Sequence, residues 1–187
     1  MSNLENIVVI GTSHENLSLL EREEFMRTRP KYIIERLYSE KSINAYINLS
    51  TCLRTEFYIE LNSNIDINEI KNLFSVDMVV KSGIEAIDYL FKVSCGFYSV
   101  IKGEDQILAQ VKGAHAEALE NEHSSKFLNI IFNKAIELGK KFRTKSMIAH
   151  NALSLEAISL KFIKSKFHTI EDKNIFILGI GELAQDI

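Results

Sequence analysis

Hydrophobic positions along this chain follow two different periods, and the change falls near Ser82. Before it, short β-branched or aromatic runs are separated by helical stretches. Residues 6–12 (NIVVIGT) read as a buried strand closed by a glycine and polar residues. Ser18 and Glu21 have capping-box spacing and predict a helix from there toward Tyr38, which Pro30 should kink or split. Residues 45–49 (AYINL) and 56–61 (EFYIEL) are strand-like, and the short connection between them predicts an antiparallel pair. Asp66 and Glu69 open a short helix through Phe74, and residues 76–80 predict one more strand.

Strand, helix, strand, strand, helix, strand predicts an α+β fold. Its first part is a ferredoxin-like βαββαβ layer, with two helices covering one face of a four-stranded antiparallel sheet. From Ser82 the period is helical. Ser82 and Glu85 have capping-box spacing, followed by Ile84, Ile87 and Phe91 at helical intervals. Ile107, Leu108, Val111, Ala114 and Ala118 form a second stripe. Leu128, Ile131, Ala135, Leu138 and Phe142 form a third, and Leu155, Ile158 and Phe162 a fourth. Four amphipathic helices in succession predict a bundle beside the sheet. The last segment breaks that rhythm: residues 174–178 (NIFIL) read as a strand running into Gly179-Ile180-Gly181-Glu182-Leu183-Ala184. A strand leading into G-x-G-x-x-A begins a dinucleotide-binding Rossmann unit, which needs roughly 30 residues. The chain therefore reads as a fragment cut just inside a second domain.

Composition narrows the class. The 187 residues are 46% hydrophobic and 25% charged, with eight Gly and one Pro, which suits a packed core and excludes low-complexity disorder. No apolar run approaches the roughly 18 residues of a membrane span, and the N-terminus lacks a signal-peptide layout, so a soluble cytoplasmic protein is expected. A formal charge of -3 excludes nucleic-acid binding by overall basicity. Two cysteines make no disulfide framework, and His14, His115, His123, His150 and His168 form no ligand-spaced cluster, so no metal is expected.

Candidate chemistry concentrates in residues 50–56 (STCLRTE). Cys52 falls in the tight connection between two strands, and Arg54, two residues on, projects to the same side in extended geometry and favours a thiolate. Cys52 could equally be a small apolar filler; its polar neighbours Thr51, Arg54 and Glu56 weigh toward chemistry. Cys95 reads as a packing residue. In residues 96–110, Gly103 ends a turn and Glu104 and Asp105 fall in the first turn of a helix. Gln106 and Gln110 share one helix face, which suits either recognition of an amino acid or a plain solvated helix start. Between 126 and 145 six Lys or Arg stand against Glu137, a local balance of +5 that suits a solvated face or a resting place for an RNA backbone. Among the histidines, His14 follows the first strand and is the one to watch near Cys52.

Together these motifs resemble the glutamyl-tRNA reductase family through nearly the whole chain. Gly11-Thr-Ser-His14 with Leu20-Glu-Arg-Glu23 is similar to its N-terminal strand and helix, and Ser50 to Glu56 to its nucleophile segment. Ser99, Gly103, Glu104, Gln106, Ile107 and Gln110 are similar to its substrate-site segment, and Gly139 to Thr144 and the terminal Gly-x-Gly-Glu complete the order. The resemblance implies residues 1–82 as a ferredoxin-like catalytic subdomain, 83–168 as a helical subdomain completing it, and 169–187 as the start of an NADPH-binding domain. It implies that Cys52 attacks the ester linking glutamate to its tRNA and forms a thioester, which NADPH reduces to glutamate-1-semialdehyde for tetrapyrrole synthesis. Thr51, Leu53, Arg54, Ser99, Glu104, Asp105, Gln106 and Gln110 would contact substrate, Arg54 as a bidentate clamp on the glutamate carboxylate. Gly179, Ile180, Gly181, Glu182, Leu183 and Ala184 would be what is present of the NADPH loop. The implied partner is glutamyl-tRNA, with no DNA or membrane; dimerisation would use a C-terminal region, leaving this fragment a monomer.

Three positions depart from the family pattern. Leu53 replaces an Asn, so that only backbone can serve there. Asp105 stands where Pro is common, adding a negative charge. Tyr89 occupies the place of a functionally important His, and a phenol is a poor proton shuttle near neutral pH. The expected function is acyl transfer to Cys52 without hydride transfer. The alternative is a non-catalytic tRNA- or protein-binding module with a buried structural Cys52.

Overall fold

The computed structural model describes residues 4–74, 76–104, 106–146 and 155–167, together with 174, 176, 178 and 179. Its strands are β1 (Ile7–Ser13), β2 (Ile43–Ser50), β3 (Arg54–Leu61) and β4 (Val79–Ser82). They form one antiparallel sheet in the order β2-β3-β1-β4, so that β1 and β3 are the paired central strands of the split βαβ arrangement. Helices α1 (Leu19–Arg27), α2 (Pro30–Ser39) and α3 (Ile67–Lys71) lie within this unit, followed by α4 (Gly83–Ser94), α5 (Gln106–Glu120), α6 (Lys126–Ser146) and α7 (Leu155–Phe167). No helix among the described residues is long and apolar enough to cross a membrane.

β1 and β3 are buried on both faces because each face has its own cover. Val8, Ile10, Tyr46, Phe57 and Ile59 pack with Phe25, Ile34, Leu37 and Ile70 of α1–α3. Ile7, Val9, Ala45, Ile47 and Tyr58 pack with Leu90, Val93, Val111 and Phe132 of α4–α6. The helical bundle expected beside the sheet therefore roofs its second face. Each fully buried aliphatic or aromatic side chain in these layers contributes about 1.5–3 kcal/mol.

Local signals place most boundaries. Ser18 and Glu21 form the expected capping box, and Pro30 splits the helical stretch by starting α2, with Arg29 before it at φ 54°. The Asp66–Glu69 box also forms, although α3 ends at Lys71, short of Phe74. Three expectations need correction. The fourth strand covers 79–82 rather than 76–80, because Met78 turns into the core with Phe74 and pairing with β1 begins only at Gly11 opposite Val79. Ser82 starts α4 without a side-chain cap, since it is still paired with Val8 and the chain enters the helix through Gly83 at φ 57°. The buried stripe of α4 is Ala86, Tyr89, Leu90 and Val93, and Ile84 is 72% exposed.

In α6 the stripe runs through Leu128, Phe132, Ala135 and Gly139; Leu138 is exposed. Gly139 allows close approach, for a Cβ there would stand 2.8 Å from the Ser94 carbonyl oxygen. The fourth helix, α7, leaves Ile158 and Phe162 exposed. The expected strand at 174–178 and the turn 179–184 lie largely outside the described residues. Gly11 in β1 is required by space: a Cβ would meet the Thr55 carbonyl oxygen at 2.2 Å.

Candidate functional site

The β2–β3 turn carries Cys52 at its tip. Thr51 shapes this turn by accepting at Oγ1 from the Leu53 and Arg54 amides (3.1 and 3.2 Å), while its own amide donates to the Arg54 carbonyl (2.8 Å). Two neighbours hold it from outside. The His14 amide donates to the Leu53 carbonyl (2.8 Å), and Arg22 Nη1 donates to the Cys52 carbonyl (2.7 Å). Leu53 contributes its backbone to the turn, its amide donating to Thr51 and its carbonyl accepting from His14. A bend, not an extended strand, separates Cys52 from Arg54, yet both line the same cavity.

Cys52 is exposed, so it is not the buried structural thiol of the alternative reading. Cys95 is buried, and burial pushes its thiol up, as fits a packing residue. A cavity of about 340 Å³ opens beside Cys52. The sheet ends supply Thr12, Thr51, Arg54 and Thr55 to it. Helix α1 supplies Leu19, Arg22, Glu23, Met26 and Arg27.

Beneath the turn lies a buried charge cluster. Arg54 Nη1 donates to Glu56 Oε1 (3.0 Å), and Nη2 donates to the Tyr98 carbonyl (2.6 Å). Glu56 also accepts from the Tyr89 and Tyr58 hydroxyls (2.6 and 3.0 Å). Burial pushes the Glu56 carboxyl up, against the pull of Arg54, Tyr89 and Tyr58. Burial alone would lower Arg54, but Glu56 and then the two phenols more than offset it and hold the guanidinium charged. Burial and the adjacent Glu56 push the Tyr89 phenol far above its ordinary value. Tyr89 is therefore a donor that fixes Glu56, not a proton shuttle.

The other expected site residues divide. Ser99 is buried and directly follows Tyr98, whose carbonyl holds Arg54. Gly96 and Gly103 pack backbone to backbone at φ 80° and 81°, closing the loop between α4 and α5. Glu104 precedes α5 rather than lying in its first turn, and Asp105 lies outside the described residues. Gln106 is exposed and Gln110 half-exposed on α5. None of Ser99, Glu104, Gln106 or Gln110 lines the cavity beside Cys52.

Sequence reasoning missed two positioning residues and misread a third. Glu56 stood out only as a polar neighbour of Cys52, although it is a charge two places from Arg54 in a strand buried along its whole length. Arg22 carried no local signal, because its partner lies thirty residues away. Arg143, counted in the basic run, is buried, and it donates to the carbonyls of Ser94, Gly139 and Glu104 (2.8, 3.1 and 2.5 Å). Lys134 and Lys141 of that run pair with Glu137. Of the expected dinucleotide loop only Gly179 is described. Its φ of 128° favours glycine, and residues 180–184 lie outside the described residues.

His14 Nδ1 is buried without a hydrogen-bond partner. Burial holds its pKa below the usual 6.5, helped by Arg54, Arg22 and Lys102 and opposed by Glu15. A neutral imidazole next to the turn can accept a proton.

Comparison with known proteins gives one consistent picture. The family model described as glutamyl-tRNAGlu reductase, N-terminal domain, matches residues 10–146. A glutamyl-tRNA reductase of Fusobacterium nucleatum is 90% identical over 187 residues, covering 100% of this chain and 57% of that protein. One from Clostridium novyi is 34% identical, covering 96% of this chain and 46% of its own length. The solved glutamyl-tRNA reductase from Methanopyrus kandleri superposes with a TM-score of 0.73 at 28% identity, over 97% of this chain and 45% of that one. The chain spans about half the length of the curated relatives it matches.

Proposed function

The chain belongs to the glutamyl-tRNA reductase family through that family's N-terminal domain, and from this premise we propose that it takes glutamate from glutamyl-tRNA onto Cys52, the acyl-transfer half of a reduction that opens tetrapyrrole synthesis. One observation carries the reading: an exposed cysteine at the tip of a turn braced by Thr51, His14 and Arg22, open to a cavity of about 340 Å³.

The sulfur of Cys52 attacks the ester carbonyl. An S–C bond forms, the C–O bond to the terminal ribose breaks, and the ribose oxygen takes the proton that leaves the thiol. His14 is the proposed carrier of that proton, since its imidazole is held neutral. Splitting the reaction keeps the acyl group fixed on the protein as a thioester, so the later step gains from proximity. Arg54 lines the cavity with its guanidinium turned inward to Glu56 and Tyr98, so its proposed contact with the substrate carboxylate requires that pairing to open, with Thr51 and the Leu53 backbone shaping the floor. Ser99, Glu104, Gln106 and Gln110 are proposed for the acyl side, toward α4 and α5. NADPH, if held by the glycine motif at 179–184, would supply the hydride that yields glutamate-1-semialdehyde.

The test is intact-protein mass spectrometry after incubation with glutamyl-tRNA. A glutamyl adduct is expected on Cys52, lost in Cys52→Ser and kept in Cys95→Ser. Equal labelling of Cys52→Ser overturns the reading, as does an unlabelled wild-type protein beside fully charged tRNA.

A further inference from the structure

A donor ester must lie across the Cys52 sulfur with its acyl part on one side and its ribose on the other. The acyl-side candidates on the α4–α5 side contribute nothing to the cavity of about 340 Å³; of the proposed acyl-side residues only Thr51 and Arg54 reach it, on its inner wall, and its outer wall is α1. That wall is unlike an amino-acid pocket. Leu19 and Met26 are 61% and 49% exposed, an apolar ledge facing water. Arg22 and Arg27 add two cations and Glu23 one carboxylate. Arg22 is already fixed within one residue of the sulfur by its 2.7 Å bond to the Cys52 carbonyl, and its Nε is shut off from water without a hydrogen-bond partner. Arg27 stands exposed in the last turn of α1.

An apolar ledge can underlie a base, guanidinium groups neutralise phosphate, and a carboxylate accepts from ribose hydroxyls. We propose that this cavity seats the 3′-terminal nucleotide of the charged RNA, with Arg22 and Arg27 on its phosphodiester, Leu19 and Met26 against its base and Glu23 accepting from a ribose hydroxyl. The inference rests on the acyl-transfer reading above. A volume of about 340 Å³ lies at the small end of the roughly 300–1,000 Å³ found for ligand sites. It suits one nucleotide and excludes duplex RNA, which must continue over the surface. The rival occupant is the glutamyl group itself, with carboxylate on arginine and ammonium on Glu23. The apolar ledge has no counterpart in so polar a ligand.

Protection of Cys52 from iodoacetamide reads occupancy without requiring acyl transfer. Uncharged tRNA ending in CCA is expected to slow alkylation, while the same RNA lacking its terminal adenosine leaves it fast. Arg27→Glu should weaken protection by roughly tenfold or more, and Arg27→Gln by less, with a shallower salt dependence. Each variant is normalised to its own alkylation rate without RNA, which also confirms that its sulfur is still presented. The proposal is overturned if neither RNA protects, if both protect equally, or if Arg27→Glu protects like the parent. It is equally overturned if free glutamate protects where uncharged RNA does not, or if Lys140→Glu on α6 weakens protection and Arg27→Glu does not. Intact RNA protection with no glutamyl adduct on the wild-type protein sinks the acyl-transfer reading while supporting the nucleotide seat.

Discussion

Arg54 and Glu56 stand two residues apart on one strand, joined across 3.0 Å with side chains 2% and 0% exposed. The pair lies directly beneath the Cys52 turn and draws in Tyr58, Tyr89 and the Tyr98 carbonyl. Removing one buried charge leaves the other uncompensated, at about 3–5 kcal/mol, whereas replacing both with apolar groups of similar volume is near neutral. Glu56→Leu should therefore lose about that much stability in urea unfolding, and Arg54→Met with Glu56→Leu should recover most of it. A loss under about 1 kcal/mol for Glu56→Leu would contradict this account of the turn's foundation.

His14 gives the stability of the protein a pH dependence of known sign. Its pKa in the folded state lies below the usual 6.5, so the unfolded chain binds the proton more readily. Its contribution is complete above 6.5 and is lost as pH falls through the depressed folded value. His14→Asn should flatten the stability profile on the acid side of 6.5, measured by urea unfolding at a series of pH values. An unchanged slope, or an NMR titration of His14 midpoint above 6.5, would refute the assignment.

Gly11 offers a purely steric test. An added Cβ would stand 2.2 Å from the Thr55 carbonyl oxygen and 2.6 Å from the Glu56 Cα, both backbone atoms of the central strand pair. Neither can yield without breaking the β1–β3 ladder that positions the turn. Gly11→Ala should cost at least the roughly 1–3 kcal/mol of ordinary overpacking and slow acylation of Cys52. A thermal midpoint equal to the parent's would show that the ladder gives way easily.

Much of the fold was legible because its signals are local. The boxes at Ser18 and Asp66 and the break at Pro30 each depend on side chains within four residues of the backbone they cap or interrupt. The stripe of α5 was read correctly because all five of its predicted positions are buried. Of the predicted α4 stripe, Ile87 and Phe91 pack partly buried against the core, whereas Ile84, apolar but in the first turn, stays exposed beyond the reach of the sheet. The site was legible as a set of residues and less so as an arrangement. Thr51, Cys52 and Arg54 do share a cavity, but its other wall comes from α1, which the spacing of residues around Cys52 cannot announce.

The sequence by itself determined the order and type of the elements, the break at Pro30, and the chemistry held in the 50–56 segment, because period, capping and turn composition act over a few residues. Only the tertiary structure decided where the charges went. Arg54 went inward to Glu56 and Tyr98, Arg143 to the carbonyls around Ser94 and Glu104, and Arg22 to the Cys52 carbonyl. A guanidinium leaves water only where carboxylates or carbonyls replace it. For these three side chains most of those partners are brought together from thirty or more residues away, and no local pattern encodes them.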